Sequence, residues 1–163
     1  MTTAVSLGAD LAHVLHPLHH PTTTKNPRVW VAGKGAILTD AEGRSYIDGL
    51  AGLWNVNVGH GRAELADAAR DQMATLAYAS SYAGSTNYPA MALAEELSRI
   101  AYRSINSFFL TSGGAESTET SIKTARFYWK AVGQPEKTKV ISRLRGYHGL
   151  PLGAMSATGL PAF

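Results

Sequence analysis

One segment of the 163-residue chain constrains its fold more than any other. Residues 107–111 are mostly apolar and predict a short strand, and a Ser-Gly-Gly turn follows at 112–114. Apolar residues then recur at helical spacing to Val132, and residues 139–142 predict a second strand. A strand, a helix and another strand in succession form the repeating unit of a parallel sheet covered by helices. The sequence therefore predicts an α/β fold.

The predicted parallel sheet is unfinished. Parallel sheets contain more strands and carry helices on both faces, whereas only these two strands of that kind are visible here. We therefore expect the chain to form the opening of a larger sheet. Its open strand edges and apolar helix faces should let it fold only beside further sequence or a partner chain.

The region before residue 62 has a different pattern. Prolines interrupt residues 1–28, so we expect an irregular or partly helical arm there. Short alternating segments then predict strands at 29–31, 36–39 and 45–47, with a turn at 40–43. Residues 49–61 are rich in glycine and too apolar for a linker, which fits a chain that passes close to another backbone or to a ligand.

Helical periodicity predicts three helices in the rest of the chain. The first covers residues 62–77, where Leu65, Met73 and Leu76 lie on one apolar stripe. Pro89 suits the first turn of the second helix. The third is expected from about Glu116 to Val132.

Composition and patterning exclude several classes of protein. The 15 Lys and Arg residues exceed the 12 Asp and Glu residues only slightly and are scattered, so no basic stripe for nucleic acid is present. The absence of cysteine excludes disulfides and thiolate metal sites. No apolar run approaches the roughly 20 residues of a membrane span. The N-terminal residues lack the pattern of a secretory signal, and we expect a cytoplasmic protein.

Four histidines near the N-terminus are candidate metal ligands: His13, His16, His19 and His20. They lack the neighbouring carboxylate pair or cysteines that would complete a metal shell, and Pro17 limits any helix that carries them. We expect ordinary surface or packing histidines and no metal site.

The Ser-Gly-Gly turn opens a helix and thereby predicts a site for an anion. The first backbone N–H groups of a helix have no partner within it, and they lie at the positive end of the helix dipole. Glycines let a phosphate group approach these N–H groups closely, and Ser112 adds a hydroxyl. A plain helix cap by Ser112 or Thr111, with no ligand, explains the motif equally well. The spacing excludes a P-loop and a dinucleotide fingerprint.

A second candidate loop, at 146–149, follows the second predicted strand. Ligands of open α/β sheets lie beyond the carboxyl ends of the strands, where both this loop and the Ser112 turn are expected. The flat ring of Tyr147 suits stacking on a flat ligand. A tyrosine that only packs within the protein is the alternative.

Three motifs in this order resemble the class III aminotransferases, and above all the omega-transaminases of the amine:pyruvate and β-alanine:pyruvate type. They are Leu-Trp-Asn-Val-Asn-Val-Gly-His-Gly at 53–61, Ser-Gly-Gly-Ala-Glu at 112–116 and Gly-Tyr-His-Gly at 146–149. Segments at 48–54 and 153–159 strengthen the likeness, which extends from about His20 to Gly159.

The resemblance implies the N-terminal portion of a fold-type I transferase that depends on pyridoxal 5′-phosphate. Residues 1–60 would form the N-terminal arm and the β segment of the small domain. Residues 61–163 would form the beginning of the large cofactor-binding domain.

The resemblance also implies which residues bind the cofactor. Ser112, Gly113, Gly114 and Ala115 would hold its phosphate group, Tyr147 would stack on its ring and His148 would lie beside it. Many relatives carry serine at the position of Ala115, so one hydroxyl contact to the phosphate would be lost while the backbone N–H remains.

Leu53, Trp54 and Tyr147 would shape the pocket for the amine donor, with a keto acid such as pyruvate as acceptor. The loop at 82–87 would reach the active site of a neighbouring subunit, because the family works as homodimers or larger homo-oligomers. Ala83 and Gly84 replace the bulky aromatics of some relatives and would widen the roof of the pocket. Pro151 replaces a hydroxyl residue and should stiffen the loop exit.

No residue of this chain is expected to be catalytic. The family implies that the lysine that reacts with the cofactor, and the carboxylate that faces the pyridinium nitrogen, lie downstream of Phe163, so the chain alone would be inactive. None of the six lysines has a matching context; they are Lys25, Lys34, Lys123, Lys130, Lys137 and Lys139.

Three alternatives stay open at this point. One is another enzyme on the same scaffold, of the ornithine or aminobutyrate aminotransferase or aminomutase type. The others are a non-catalytic remnant that binds phosphate or a partner subunit, and a generic α/β phosphate-binding module. Trp54 favours the omega-transaminases, since a bulky aromatic suits a hydrophobic amine.

Overall fold

The structure, a computed structural model, describes residues 7–17 and 27–161. The chain divides into two compact units between Ala79 and Ser80. The division of family domains expected after residue 60 stays a prediction. The elements of the first unit are α1 (Leu7–His13), β1 (Trp30–Lys34), β2 (Ile37–Asp40), β3 (Ser45–Ile47), the single turn α2 (Ala51–Trp54) and α3 (Ala63–Leu76). Those of the second unit are α4 (Tyr88–Ile100), α5 (Gly114–Ala131) and α6 (Leu152–Ala157).

The three strands of the first unit form an antiparallel sheet in the order β1-β2-β3. Lys34 pairs with Ile37 and Ile37 with Ile47, so consecutive strands are neighbours. The strands predicted before residue 48 are therefore confirmed. The turn between β2 and β3 is confirmed as well, with Gly43 at a φ of 79°, which glycine adopts without steric cost.

Asp40 organises this turn. Its side chain is almost fully buried and accepts hydrogen bonds from the backbone N–H groups of Glu42 and Arg44, from Nε of Arg44 and from the hydroxyl of Tyr46, all at 2.9–3.0 Å. Burial alone would raise the pKa of Asp40. The hydrogen bonds outweigh that effect and lower the pKa from 3.8 to about 2.

The 49–61 segment contacts the sheet at a point where glycines of both segments lie close together. Gly35 and His60 exchange two backbone hydrogen bonds of 2.9 Å. A Cβ atom on Gly61 would lie 3.0 Å from the carbonyl oxygen of Gly33, so the backbones approach closely here. The expectation that residues 49–61 pass close to another backbone is confirmed.

The predicted helices are also confirmed, with shifted ends. Asn87 caps α4 by accepting the N–H of Ala90 at 3.0 Å, and Pro89 lies in the first turn. Helix α5 begins at Gly114, two residues before the predicted Glu116, because the chain enters the helix straight from the extended Gly113. It ends at Ala131. In the arm of residues 1–28, the structure describes residues 7–17, which include α1, and residues 27–28.

The two strands predicted at 107–111 and 139–142 are wrong for the described residues, where neither segment joins a ladder. Within that part of the chain, the one parallel pairing is an isolated bridge between Leu144 and Gly159. Apolar sequence makes a segment suitable for a strand, but a strand also needs a neighbour to receive its backbone hydrogen bonds.

Large apolar side chains lie at the surface of both units. Among the described residues, the buried hydrophobic ones are Ala154 and Ala157, whereas Met73 of α3, Ile100 of α4 and Phe127 of α5 are each more than 60% exposed. The described chain therefore leaves large apolar side chains of α3, α4 and α5 uncovered. The expectation of exposed apolar helix faces is confirmed.

We predict that Asp40→Asn destabilises the β2–β3 turn, because an amide cannot accept all of these hydrogen bonds. The carboxylate's folded pKa is depressed, so its contribution to stability is present above pH 3.8 and is lost as the pH falls toward about 2. Urea unfolding of both proteins across that pH range measures the effect. The difference between wild type and variant should shrink as the pH falls, and a difference that does not change with pH would contradict the assignment.

Candidate functional site

The start of α5 lacks a side-chain cap. Gly113 occupies the N-cap position in an extended conformation, and no side chain accepts a hydrogen bond from the first turn of the helix. The alternative of a plain cap by Ser112 or Thr111 is therefore wrong. The Thr111 hydroxyl instead donates to the Gly113 carbonyl oxygen at 3.2 Å. The first N–H groups of α5 have no intrahelical acceptors and are available to a ligand.

The space around the turn suits a phosphate group on one side. A Cβ atom on Gly114 would meet nothing within 4 Å, so the backbone there is open to a ligand. On the other side, the position of a Cβ on Gly113 is 3.0 Å from Oε2 of Glu116. An anion must therefore share the positive end of the helix with this carboxylate or turn it aside. The open backbone and the uncapped donors fit the phosphate of a cofactor.

The 146–149 loop packs directly on this helix start. Gly149 is buried, and a Cβ atom on it would lie 2.6 Å from Cβ of Ala115 and 3.0 Å from Cβ of Ala154. No side chain fits there. The structure thus brings together the two motifs that the sequence suggested for the cofactor.

Thr158 fixes the same loop from its other side. Its hydroxyl oxygen accepts the N–H of His148 at 3.0 Å and lies 3.0 Å from the Ala154 carbonyl oxygen, to which the hydroxyl donates. Sequence reasoning missed this role, because the threonine lies ten residues after His148.

Glu119 connects α5 to α6. Its Oε1 atom accepts the N–H of Ala154 at 2.8 Å, and a Cβ on Gly153 would lie 2.9 Å from the same oxygen. Sequence reasoning missed this contact, because the two residues are 35 positions apart. Helix α5 therefore holds the end of the loop through Ala115, which contacts Gly149, and holds α6 through Glu119.

Tyr147 and His148 lie on the loop that Gly149 anchors. Tyr147 is 58% exposed. The His148 ring turns back toward Gly146, where a Cβ atom would be 3.2 Å from Nε2. Stacking by Tyr147 and a cofactor contact by His148 stay predictions.

Leu53 and Trp54 lie in the first unit, on α2, and this turn is left-handed. The φ angles from Ala51 to Trp54 are 47°, 60°, 63° and 62°. For L-residues other than glycine this conformation costs about 1–2 kcal/mol each, and such strain is retained where the surrounding structure holds it. Both side chains are more than 60% exposed. Their role in an amine pocket stays a prediction.

Asp48 and His60 support this turn, and sequence reasoning missed both. Nε2 of His60 lies 2.7 Å from Oδ2 of Asp48, and the same carboxylate accepts the N–H groups of Gly52 at 2.8 Å and Leu50 at 3.3 Å. The hydrogen bond from His60, followed by those from the turn, lowers the pKa of Asp48 below its ordinary value of 3.8. The carboxylate is therefore the charged anchor of α2.

Two further expectations concern metal and membrane. Within residues 7–17 and 27–161, no three His, Asp or Glu side chains are grouped as a metal would require. His19 and His20 lie outside those residues, and His16 is 2.9 Å from Asp10. No helix in the described part of the chain has the length and apolar character needed to cross a bilayer.

An α/β chain with an uncapped helix start and a glycine loop against it is typical of proteins that hold a cofactor phosphate. Residues 19–162 match the family model of class III aminotransferases. The chain belongs to that family, and its fold is the N-terminal portion of a fold-type I transferase.

Individual relatives agree. The β-alanine–pyruvate aminotransferase of Pseudomonas aeruginosa is 42% identical over 83% of this chain and 30% of its own length. The crystal structure of an (S)-enantioselective omega-transaminase of Thermomicrobium roseum superposes with a TM-score of 0.92 at 50% identity, over 95% of this chain and 35% of its own. The structure of an omega-transaminase of Pseudomonas jessenii in complex with PMP superposes with a TM-score of 0.90 at 32% identity. The match covers 97% of this chain and 36% of that structure's chain. The chain spans about a third of the length of the curated relatives it matches.

We predict that Gly149→Ala lowers the affinity for pyridoxal 5′-phosphate by about tenfold or more, because the added methyl group must push the loop off Ala115. Gly133→Ala is the matched control. Gly133 also has a positive φ, but a Cβ there meets nothing within 4 Å. Equal losses of affinity, measured by absorbance titration of the full-length protein, would show that backbone strain rather than the Ala115 contact is responsible.

Proposed function

We propose that the protein is a pyridoxal-phosphate-dependent aminotransferase of the omega-transaminase type. It moves an amino group from an amine or omega-amino acid to a keto acid such as pyruvate. The observation that carries this proposal is the uncapped start of α5 with Gly149 packed on Ala115, in a chain of the class III family. The names of the β-alanine–pyruvate and omega-transaminase relatives support the substrate class. The PMP complex of one relative supports the cofactor.

The residues of the second unit bind and orient the cofactor. The N–H groups of Gly114 and Ala115 donate to its phosphate, the α5 dipole favours the negative charge, and the Ser112 hydroxyl adds a donor. Tyr147 stacks on the ring and His148 lies beside it. When bound, the cofactor supplies the electron-accepting ring that allows an amino group to leave one carbon skeleton and join another.

The residues of the first unit shape the donor pocket. Leu53 and Trp54 present apolar surface that excludes water and accepts the hydrocarbon part of the amine. We further propose a homodimer or larger homo-oligomer in which the 82–87 loop completes a neighbouring active site. The exposed apolar faces of α3, α4 and α5 support association with more protein surface.

The first test compares pyridoxal 5′-phosphate with pyridoxal, which lacks the phosphate, in absorbance titrations of the full-length protein. We expect the phosphate to raise affinity by about 100-fold or more, since each hydrogen bond to a charged group contributes about 1.5–3 kcal/mol. Alanine should then form from pyruvate when an amine is added. Equal affinity for the two compounds would contradict the proposed role of the α5 start.

The second test is Trp54→Ala with Trp54→Phe as its control. We expect the alanine variant to raise kcat/KM for a bulky aryl amine relative to a small alkyl amine by about tenfold, because removal of the indole enlarges the pocket. The phenylalanine variant, which keeps an aromatic ring, should lie between it and wild type. Identical ratios in all three proteins would place Trp54 outside the donor pocket.

A further inference from the structure

We propose that Asp48 and His60 are positioning residues for the amine donor: they hold α2 in its left-handed conformation and thereby fix where Leu53 and Trp54 point. This inference deepens the proposed function, and the part of its test that measures kinetics with amine donors rests on that function. Neither residue needs to touch the substrate or the cofactor. Their effect passes through the backbone of the turn.

Both residues are anchored on the sheet before they reach α2. The backbone of His60 exchanges two hydrogen bonds with Gly35, and the N–H of Asp48 donates to the Ala36 carbonyl oxygen at 2.8 Å. The His60 ring also lies on Gly33, where a Cβ atom would be 2.8 Å from Cγ of the ring. The side chains are 19% exposed for His60 and 8% for Asp48. The pair is therefore a fixed support rather than a surface contact.

From this support, the carboxylate of Asp48 holds the entry of α2. It accepts the N–H groups of Leu50 and Gly52, while Oδ2 is held by His60. A carboxylate only accepts hydrogen bonds, so Nε2 of His60 carries the donated proton. This proton keeps Oδ2 oriented toward Gly52, and the backbone of Gly52 leads directly into Leu53.

The exit of α2 is closed by a second side chain. Nδ2 of Asn55 donates to the carbonyl oxygens of Gly52 at 3.2 Å and Leu53 at 2.9 Å. Between these ends, Leu53 and Trp54 keep positive φ values that they would leave if unsupported. A residue that returns to negative φ swings its side chain to another direction. Loss of the Asp48–His60 contact should therefore move Trp54 without removing any atom of it.

The test uses Asp48→Asn, His60→Leu and His60→Gln in the full-length protein. The amide of asparagine cannot accept hydrogen bonds on both sides as the carboxylate does, and leucine removes the donor to Asp48. Glutamine keeps an N–H donor near the position of Nε2 and serves as the rescuing variant. Asp10→Asn is the matched control, because Asp10 forms an Asp–His pair of 2.9 Å with His16 away from α2.

Two readouts separate positioning from general damage. The first is the ¹⁹F resonance of Trp54 in protein labelled with 5-fluorotryptophan, assigned with Trp54→Phe. The second is the kinetics with benzylamine and propylamine as donors and pyruvate as acceptor. We expect Asp48→Asn and His60→Leu to shift or broaden the Trp54 resonance. They should change KM for benzylamine by about tenfold, with much smaller changes in kcat and for propylamine.

His60→Gln and Asp10→Asn should resemble wild type in both readouts. An unchanged Trp54 resonance in Asp48→Asn and His60→Leu would overturn the inference, as would equal effects of leucine and glutamine at position 60. If Asp48→Asn does not fold, the two His60 variants decide. If the wild-type protein transfers no amino group, the proposed function fails, and the ¹⁹F comparison still decides whether Asp48 and His60 hold Trp54.

Discussion

The candidate binding residues of each unit depend on a glycine that lies where a Cβ atom would not fit. In the first unit, Gly33 lies against the His60 ring and the backbone of Gly61. In the second unit, Gly149 lies against Ala115. Such contacts leave little freedom to the attached loops, because closely packed backbone shifts only at considerable cost. The glycine contact is thus the rigid part of each unit. It fixes the position of the side chains proposed for binding, because they lie on the loops attached to it.

The local features of the fold could be predicted from the sequence. Alternation and turn residues located the three antiparallel strands, and helical periodicity located α3, α4 and α5. The glycine turn at Gly113 and the loop at Gly149 were also recognisable, since each carries its own physical requirement in a few consecutive residues. The strands predicted at 107–111 and 139–142 failed for the opposite reason. Their pairing depends on neighbours that a local pattern does not specify.

The supporting contacts could not be predicted because they join distant residues. Asp48 meets His60 across 12 positions, and Glu119 meets Ala154 across 35. Nothing in the composition of either segment distinguishes these side chains from ordinary surface residues. The sequence does not indicate the positive φ of Leu53 and Trp54 either, since glycine and asparagine are the residues that normally adopt it. Only Gly52, in the middle of the turn, hints at the unusual backbone.

Because the backbone of α2 is left-handed, the possible replacements at Leu53 and Trp54 differ in how well they tolerate its positive φ angles. A β-branched side chain at either position worsens the steric conflict of positive φ, while asparagine relieves it in part and glycine removes it. In a selection for a wider pocket, glycine at position 54 would therefore combine two effects: it reduces the side-chain volume and it releases backbone strain. Alanine changes only the volume. The difference between glycine and alanine in such a library would report how much of any gain in tolerance comes from mobility of the loop rather than from the size of the cavity.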